Sequence, residues 1–282
     1  MLSRERTQRL VFAALTVATI LTVAPIILVV GYILWLGLPA INPEFLSAMP
    51  NSGMRAGGIW PAIVGTLYLT GGTALIAVPL GVAAAIYLAE YAADNAFSRA
   101  IRIAIINLAG IPSVVYGLFG LGLFVLFLRL GTSIVAGCLT LAIMTLPVII
   151  STTEVALRAV PQSFRLVSLS LGGTKWQTIW RVVLPQALPG ILTGVILGLE
   201  RAAGETAPIL FTAAAFFLPQ LPDSLFDPTM ALPYHLFVIS TQVPGMPIHV
   251  QYGTALVLLV FVLSMNILAT VIRARARAQR QW

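Results

Sequence analysis

Apolar residues in this chain follow neither a helical nor a strand period. They run in long unbroken blocks separated by short charged or proline-rich stretches. A helix needs about 20 mostly apolar residues to cross the hydrocarbon core of a membrane, and six blocks reach that length. They predict spans at 10–36, 60–88, 103–128, 130–152, 186–213 and 251–272. The third and fourth are separated only by a tight turn at Arg129-Leu130-Gly131. The segment 154–185 interrupts the pattern with Glu154, Arg158, Arg165, Lys175 and Arg181. The segment 214–250 is rich in proline and holds no Lys or Arg. Arginines ahead of the first block resemble a signal peptide, but the block exceeds the usual 7–15-residue apolar core, so it is expected to stay as an anchor. With no repeat or low-complexity linker, the expectation is a single all-α integral membrane domain over 1–282 with six transmembrane helices.

Composition strengthens this picture. The chain is 59% hydrophobic and only 9% charged, whereas soluble domains carry about 25% charged residues. Too little polar surface exists to coat a water-soluble globule, which excludes an ordinary soluble enzyme and a disordered chain. The net charge of +7 does not point to nucleic acid, because the basic residues cluster at the ends of the apolar blocks. The N-terminal tail, the 90–102 loop, the 154–185 loop and the C-terminal arginine tail (Arg273 to Arg280) would share one side. Only Arg55 and Arg129 would lie on the other, and Arg201 falls within a span. The positive-inside bias then places both termini and 154–185 in the cytoplasm and 214–250 outside. The arginine tail is expected to anchor on anionic membrane lipid.

Several chemistries are missing. Lys175 is followed by Trp176, so no Gly-Lys-Ser/Thr phosphate loop exists and the chain is not expected to hydrolyse ATP itself. No cluster has metal-ligand spacing, no nucleophile–base set lies in a span, and Cys138 is alone. His235 and His249 are expected to be solvated loop residues.

The chemistry that is present centres on Glu200, Arg201 and Glu205 in the fifth span. Bracketed by Leu188 and Phe211, Arg201 is expected near mid-span. Charges there are costly and mark a functional path or a buried pair. Arg201 and Glu205 stand four apart on one helix face, while Glu200 points about 100° away. Ala202, Ala203, Gly204 and Ala207 would allow close approach, and Thr206 adds a hydroxyl. A guanidinium binds tetrahedral oxyanions through parallel hydrogen bonds. A carboxylate beside it would favour an anion that still carries a proton, as hydrogenphosphate does and sulfate does not. The pair could equally lock helix packing. Pro112 within the third span is expected to kink it, either as static packing or as a pore-lining bend where Ser113 and Tyr116 meet the substrate. In 154–185, two short helices separated by Gly172-Gly173, the second capped by Thr174, would form either a partner-docking surface or an interfacial loop.

The spacing from Gly172 to Leu184-Pro185 resembles the EAA loop of bacterial ABC importer permeases. Aligned on Gly172, the motif's Glu-Ala-Ala falls on Leu166, Val167 and Ser168, so its glutamate is replaced, and its Ile falls on Val182. The segments from Ile111 to Gly120 and from Arg201 to Thr212 are similar to phosphate-importer permeases, nearer the PstA type than its PstC partner. The resemblance implies a type I ABC importer permease in the inner membrane and a PstC-like second permease. It also implies a PstB-like ATPase dimer that binds the ATP and Mg, and a PstS-like extracytoplasmic phosphate-binding protein. Arg201, Glu205, Thr206, Ser113 and Tyr116 would line the substrate pathway. Ser168, Gly172, Gly173, Thr174, Lys175 and Trp176 would couple to the ATPase. Permeases for sulfate, molybdate or phosphonate, and an ion-coupled secondary anion transporter, are the alternatives.

Overall fold

A computed structural model describes residues 4–278; Arg280 of the basic tail lies outside them. The helices are α1 (Arg4–Gly37), α2 (Pro43–Ser47), α3 (Trp60–Ile86), α4 (Ala96–Ala109), α5 (Ser113–Gly120) and α6 (Ile134–Arg158). They continue with α7 (Gln162–Ser170), α8 (Lys175–Thr178), α9 (Leu184–Gly204), α10 (Ala207–Thr212), α11 (Leu232–Thr241) and α12 (Ile248–Ala278). A small antiparallel hairpin pairs Pro50 with Gly57 and Asn51 with Ala56. Three π-helical turns, Tyr87–Tyr91, Leu121–Phe127 and Ile179–Val183, extend α3 and α5 and join α8 to α9.

Five helical stretches are long and apolar enough to cross a membrane, and a sixth is a bent pair, Ala96–Ala109 with Ser113–Phe127, meeting at 101°. The third predicted span is therefore two helices rather than one rod. Pro112 cannot donate a helical hydrogen bond, and its ring would clash with the Leu108 carbonyl one turn earlier. The Leu108 carbonyl instead accepts the Ile111 N–H at 3.1 Å and the Tyr116 hydroxyl at 2.7 Å.

The fifth predicted span differs too. Helix runs through Lys175–Gly204 and stops there, rather than continuing to 213. Pro208 would collide with the Gly204 carbonyl, so the chain turns extended at Glu205 (φ −76°, ψ 132°) and restarts as α10. The fourth helix extends past 152 to Arg158, because Glu154 is neutralised by Arg102 and Arg158 at 2.7 and 2.9 Å. Within the predicted outer loop, α11 folds back onto the bundle, with the Leu232 N–H donating to the Thr66 hydroxyl of α3 at 2.8 Å. His235 is consequently 2% exposed, contrary to the expectation of a solvated loop histidine, whereas His249 is exposed.

At the heart of the bundle α6 packs between α3 and α9. Gly190, Gly194 and Gly198 recur every fourth residue on α9, and a Cβ at these positions would strike Ala156, Thr152 and Ile149 of α6. Lipid gives no hydrophobic drive for helix association, so close backbone approach over small residues supplies the van der Waals contact. One apolar cluster includes Phe45, Ile59, Leu69, Leu141, Ile209 and Leu232. A second, towards the end where α7 and α8 sit, includes Leu88, Ile150, Leu157 and Val183. Helix α1 lies outside both. It touches α12 through the edge-to-face rings of Tyr32 and Tyr252, 5.4 Å apart. Thr16, Thr19 and Thr22 on α1 satisfy their hydroxyls on carbonyls four residues back, as side chains facing lipid must.

Candidate functional site

The chain break after α9 builds the first site. Arg201 sits in the last turn of α9 rather than at mid-span, and Glu205 is the residue that ends the helix. Arg201 Nε donates to Glu205 Oε1 at a long 3.4 Å. The other guanidinium nitrogens have no partner among the described residues. The side chains are 34% and 16% exposed, so Arg201 reaches an open face while Glu205 is anchored inward. Gly204 has nothing within 4 Å of where a Cβ would stand. Ala202 and Ala203 do not open the site, for both are buried in the core. Thr206 is half-buried beside the pair.

Helix α5 flanks this break. A Cβ at Gly117 would stand 3.0 Å from both the Ala207 carbonyl oxygen and Pro208 Cα, which places α5 directly against the residues that follow Glu205 and Thr206. Ser113 is half-buried at the first turn of α5. Tyr116 is 6% exposed and commits its hydroxyl to Leu108. It staples the bend rather than presenting a free group. Glu200 faces elsewhere, into a groove of about 200 Å³ shared with Thr193, Asn266, Thr270 and Arg273.

Sequence reasoning missed the α3 side of the site. Thr66 and Thr70 line a void of about 10 Å³ with Glu205, Ala203 and Ile209. The Thr70 hydroxyl is buried with no partner. The signal was present: Thr66, Thr70 and Thr73 form a helical stripe of hydroxyls on an otherwise apolar span.

The second surface lies at the opposite end. Gly172 adopts φ +82° to separate α7 from α8, a conformation that favours glycine. A Cβ on Gly173 would stand 2.8 Å from the Ser168 carbonyl. Thr174 accepts the Gln177 N–H at 3.2 Å while Gln177 accepts the Thr174 N–H at 2.9 Å, a reciprocal cap. Ser168 and Thr178 hydroxyls meet at 2.8 Å and tie the two helices together. Trp176 and Trp180 contact edge-to-face at 5.3 Å and are both exposed. Lys175 Nζ lies 4.7 Å over the Tyr91 ring. An open groove of about 600 Å³ is lined by Phe164, Val167, Leu171, Gln177 and Arg181.

Beneath that groove Arg165 is fastened to two spans. Nη2 donates to Glu90 Oε1 at 2.6 Å and to the Leu157 carbonyl at 2.9 Å, and Nη1 to the Val160 carbonyl at 2.6 Å. Nε adds a longer bond to Glu90 Oε2 at 3.4 Å. Among the described residues no three His, Cys, Asp or Glu side chains stand close enough to share a metal ion.

Comparison with known proteins gives the family and the fold. The family model described as "Binding-protein-dependent transport system inner membrane component" matches residues 77–278. A "Probable ABC transporter permease protein YqgI" of Bacillus subtilis is 32% identical over 281 residues, 95% of each chain. A "Phosphate transport system permease protein PstA 1" of Mycobacterium tuberculosis is 37% identical over 227 residues, 80% of this chain and 73% of that one. The solved bacterial alginate ABC transporter, in complex with its pentasaccharide-bound periplasmic protein, superposes with TM-score 0.69 over 97% of both chains at 15% identity. At that identity the likeness shows the fold alone.

Proposed function

The chain belongs to the family of binding-protein-dependent transport system inner membrane components, and we propose that it is the permease subunit of an ATP-driven phosphate importer. Relatives named as phosphate transport permeases support the substrate. The observation that carries the reading is the underused guanidinium of Arg201 beside the open space at Gly204. A charge so placed within a membrane protein needs a water-filled path or a ligand. Its terminal nitrogens can hold two phosphate oxygens side by side. Glu205, held against α3, can accept the proton of hydrogenphosphate and disfavour sulfate. Thr206 and Ser113 supply hydroxyls at the same break.

The end carrying Arg102, Arg158, Arg165 and Lys175 faces the cytoplasm, as the positive-inside bias requires. The groove between α7 and α8 seats a separate ATPase, which binds the ATP and Mg. Leu166 stands where a docking glutamate occurs in the EAA motif, so contact here is more apolar. A second permease completes the pathway around Arg201, and an extracytoplasmic binding protein delivers the anion to the far side.

The test is uptake of labelled phosphate into liposomes holding this chain, its partner permease, the ATPase and the binding protein. Uptake should require ATP, resist excess sulfate and fail with Arg201→Gln. An assembled, ATP-hydrolysing wild-type complex that moves no phosphate overturns the substrate assignment. The long Arg201–Glu205 contact also fits a second reading, a packing lock. In that case Arg201→Gln combined with Glu205→Gln would restore transport.

A further inference from the structure

Helix α7 meets the bundle through Phe164, packed on the cluster of Leu88 and Leu157, and through one charged side chain. Among its described residues α7 buries none. Its one charged anchor is Arg165, whose side chain is only 13% exposed and meets Glu90, itself 9% exposed. Glu90 lies on the π-helical turn Tyr87–Tyr91 that ends the α3 span. The same turn supplies Tyr91, which sits under Lys175 of α8. Both coupling helices are therefore attached to one turn at the foot of α3. Single π-turns inside helices frequently occur at functional sites, because the widened ladder leaves the backbone locally less regular. On the other side, α8 runs into α9 through the π-turn Ile179–Val183 without a chain break.

These attachments select two helices, and the same two meet again far away. Thr66 and Thr70 of α3 and Ala202, Ala203 and Glu205 of α9 line one void beside Arg201. A displacement applied at α7 and α8 can thus reach both walls of the site at once. It reaches α9 through the covalent chain. It reaches α3 chiefly through the directional Arg165–Glu90 pair, alongside the Lys175–Tyr91 contact and the apolar packing of Phe164. A desolvated, two-pronged guanidinium–carboxylate pair backed by two carbonyls is geometrically specific in a way that an apolar contact is not.

We propose that the Arg165–Glu90 pair is the mechanical joint that makes α3 move with the coupling helices, so that ATP-driven motion changes the α3–α9 gap around Glu205. Arg165 and Glu90 are positioning residues, remote from the substrate. The inference rests on the permease reading above, yet it concerns the joint alone. Severing the pair leaves α9 driven and α3 held only by the weaker, less directional contacts. ATP is then hydrolysed without the site being reshaped.

The experiment uses the complete reconstituted complex and two readouts. The first is the ratio of phosphate imported to ATP hydrolysed. In complexes shown by co-purification to be assembled, Arg165→Ala should lower it roughly tenfold, as expected for cutting one link of a coupling network, while hydrolysis persists. Glu90→Gln keeps the shape and one acceptor oxygen, and should give an intermediate ratio; it also serves if Arg165→Ala does not assemble. A merely structural role would reduce uptake and hydrolysis together and leave the ratio unchanged, which overturns the proposal. The second readout needs no substrate. Spin labels at Leu75 on α3, which is 79% exposed, and Gln162 on α7 report the distance across the joint. It should stay constant between nucleotide-free and ATP-bound wild type, and change or broaden with ATP in both variants. A wild-type distance that itself shifts with ATP, or variants that keep it constant, sinks the joint. A wild-type complex that hydrolyses ATP without importing phosphate sinks the substrate assignment instead, and the label distances still decide the joint.

Discussion

The two halves of this molecule use the same residue types in opposite ways. At the end where α7 and α8 sit, Arg165 is mostly covered and four of its hydrogen bonds go to Glu90, Leu157 and Val160. Arg102 likewise bonds Glu154 at 2.7 Å and the Leu88 carbonyl at 2.8 Å. In the opposite half Arg201 has a single 3.4 Å contact amid a largely apolar core in which His235 and several threonines are buried. A guanidinium presents five donors in a fixed fork. Where protein acceptors fill the fork, it joins helices. Where they do not, it is free to hold a ligand. The type of residue is shared and the saturation of its donors separates the roles.

The largest expected effect comes from the unsaturated arginine. Arg201→Gln should reduce phosphate uptake at least about a hundredfold, since it removes two charged hydrogen bonds worth about 1.5–3 kcal/mol each. Thermal stability of the purified complex should change little, because Arg201 is one-third exposed and weakly bonded. A large loss of stability would erase the contrast between the halves. Arg165→Ala should, besides its effect on coupling, lower stability. Leaving Glu90 buried and unpaired costs about 3–5 kcal/mol, read as a lowered melting temperature of the detergent-solubilised protein.

Next comes the apolar character of the half that holds His235. Burial holds the His235 imidazole down at about 4, below the ordinary value near 6.5. Between about pH 6.5 and 4 the unfolded chain binds the proton and the folded chain does not. Stability should therefore fall with acidification across that window, by up to about 3 kcal/mol, and the contribution should be flat above it. His235→Gln should remove this part of the slope in a pH series of thermal melts. An unchanged slope would mean that this half is not sealed around a neutral histidine.

Two smaller effects sharpen the contrast. Glu205→Gln should leave phosphate uptake measurable but let sulfate compete about tenfold better, the worth of roughly one charged hydrogen bond. Competition curves against labelled phosphate decide this. Arg158 also pairs with Glu154, but it is 55% exposed. Arg158→Gln should cost less than about 1 kcal/mol, showing that burial rather than the count of ion pairs strengthens the end where α7 and α8 sit.

Much of the site was legible as chemistry but not as geometry. Arg201 and Glu205 are conspicuous because a long apolar block surrounds them, whatever the backbone does. Their placement in a last helical turn depended on Pro208, whose effect on Gly204 shortens α9. Tyr116 shows the converse. Its position near Pro112 left both a static kink and a pore-lining bend open, and its hydroxyl donates to the carbonyl left free by the same proline. Thr70 went unread because an isolated hydroxyl in a span is ordinarily satisfied by its own helix, and here it is not.

That the chain is a membrane protein, roughly where its apolar blocks lie, and which few charged residues stand out against them can be read from the sequence. These follow from transfer energetics and charge bias, which are local properties of each segment. Tertiary structure alone decided which guanidinium is saturated. Glu90 and Arg165 lie on different helices, and only the packing of α3, α6 and α7 brings their donors and acceptors into register. The fold of α11 over α3 likewise turned His235 from a loop residue into a buried one. Hydrogen-bond saturation and burial are sums over neighbours from distant parts of the chain, so no window of residues contains them.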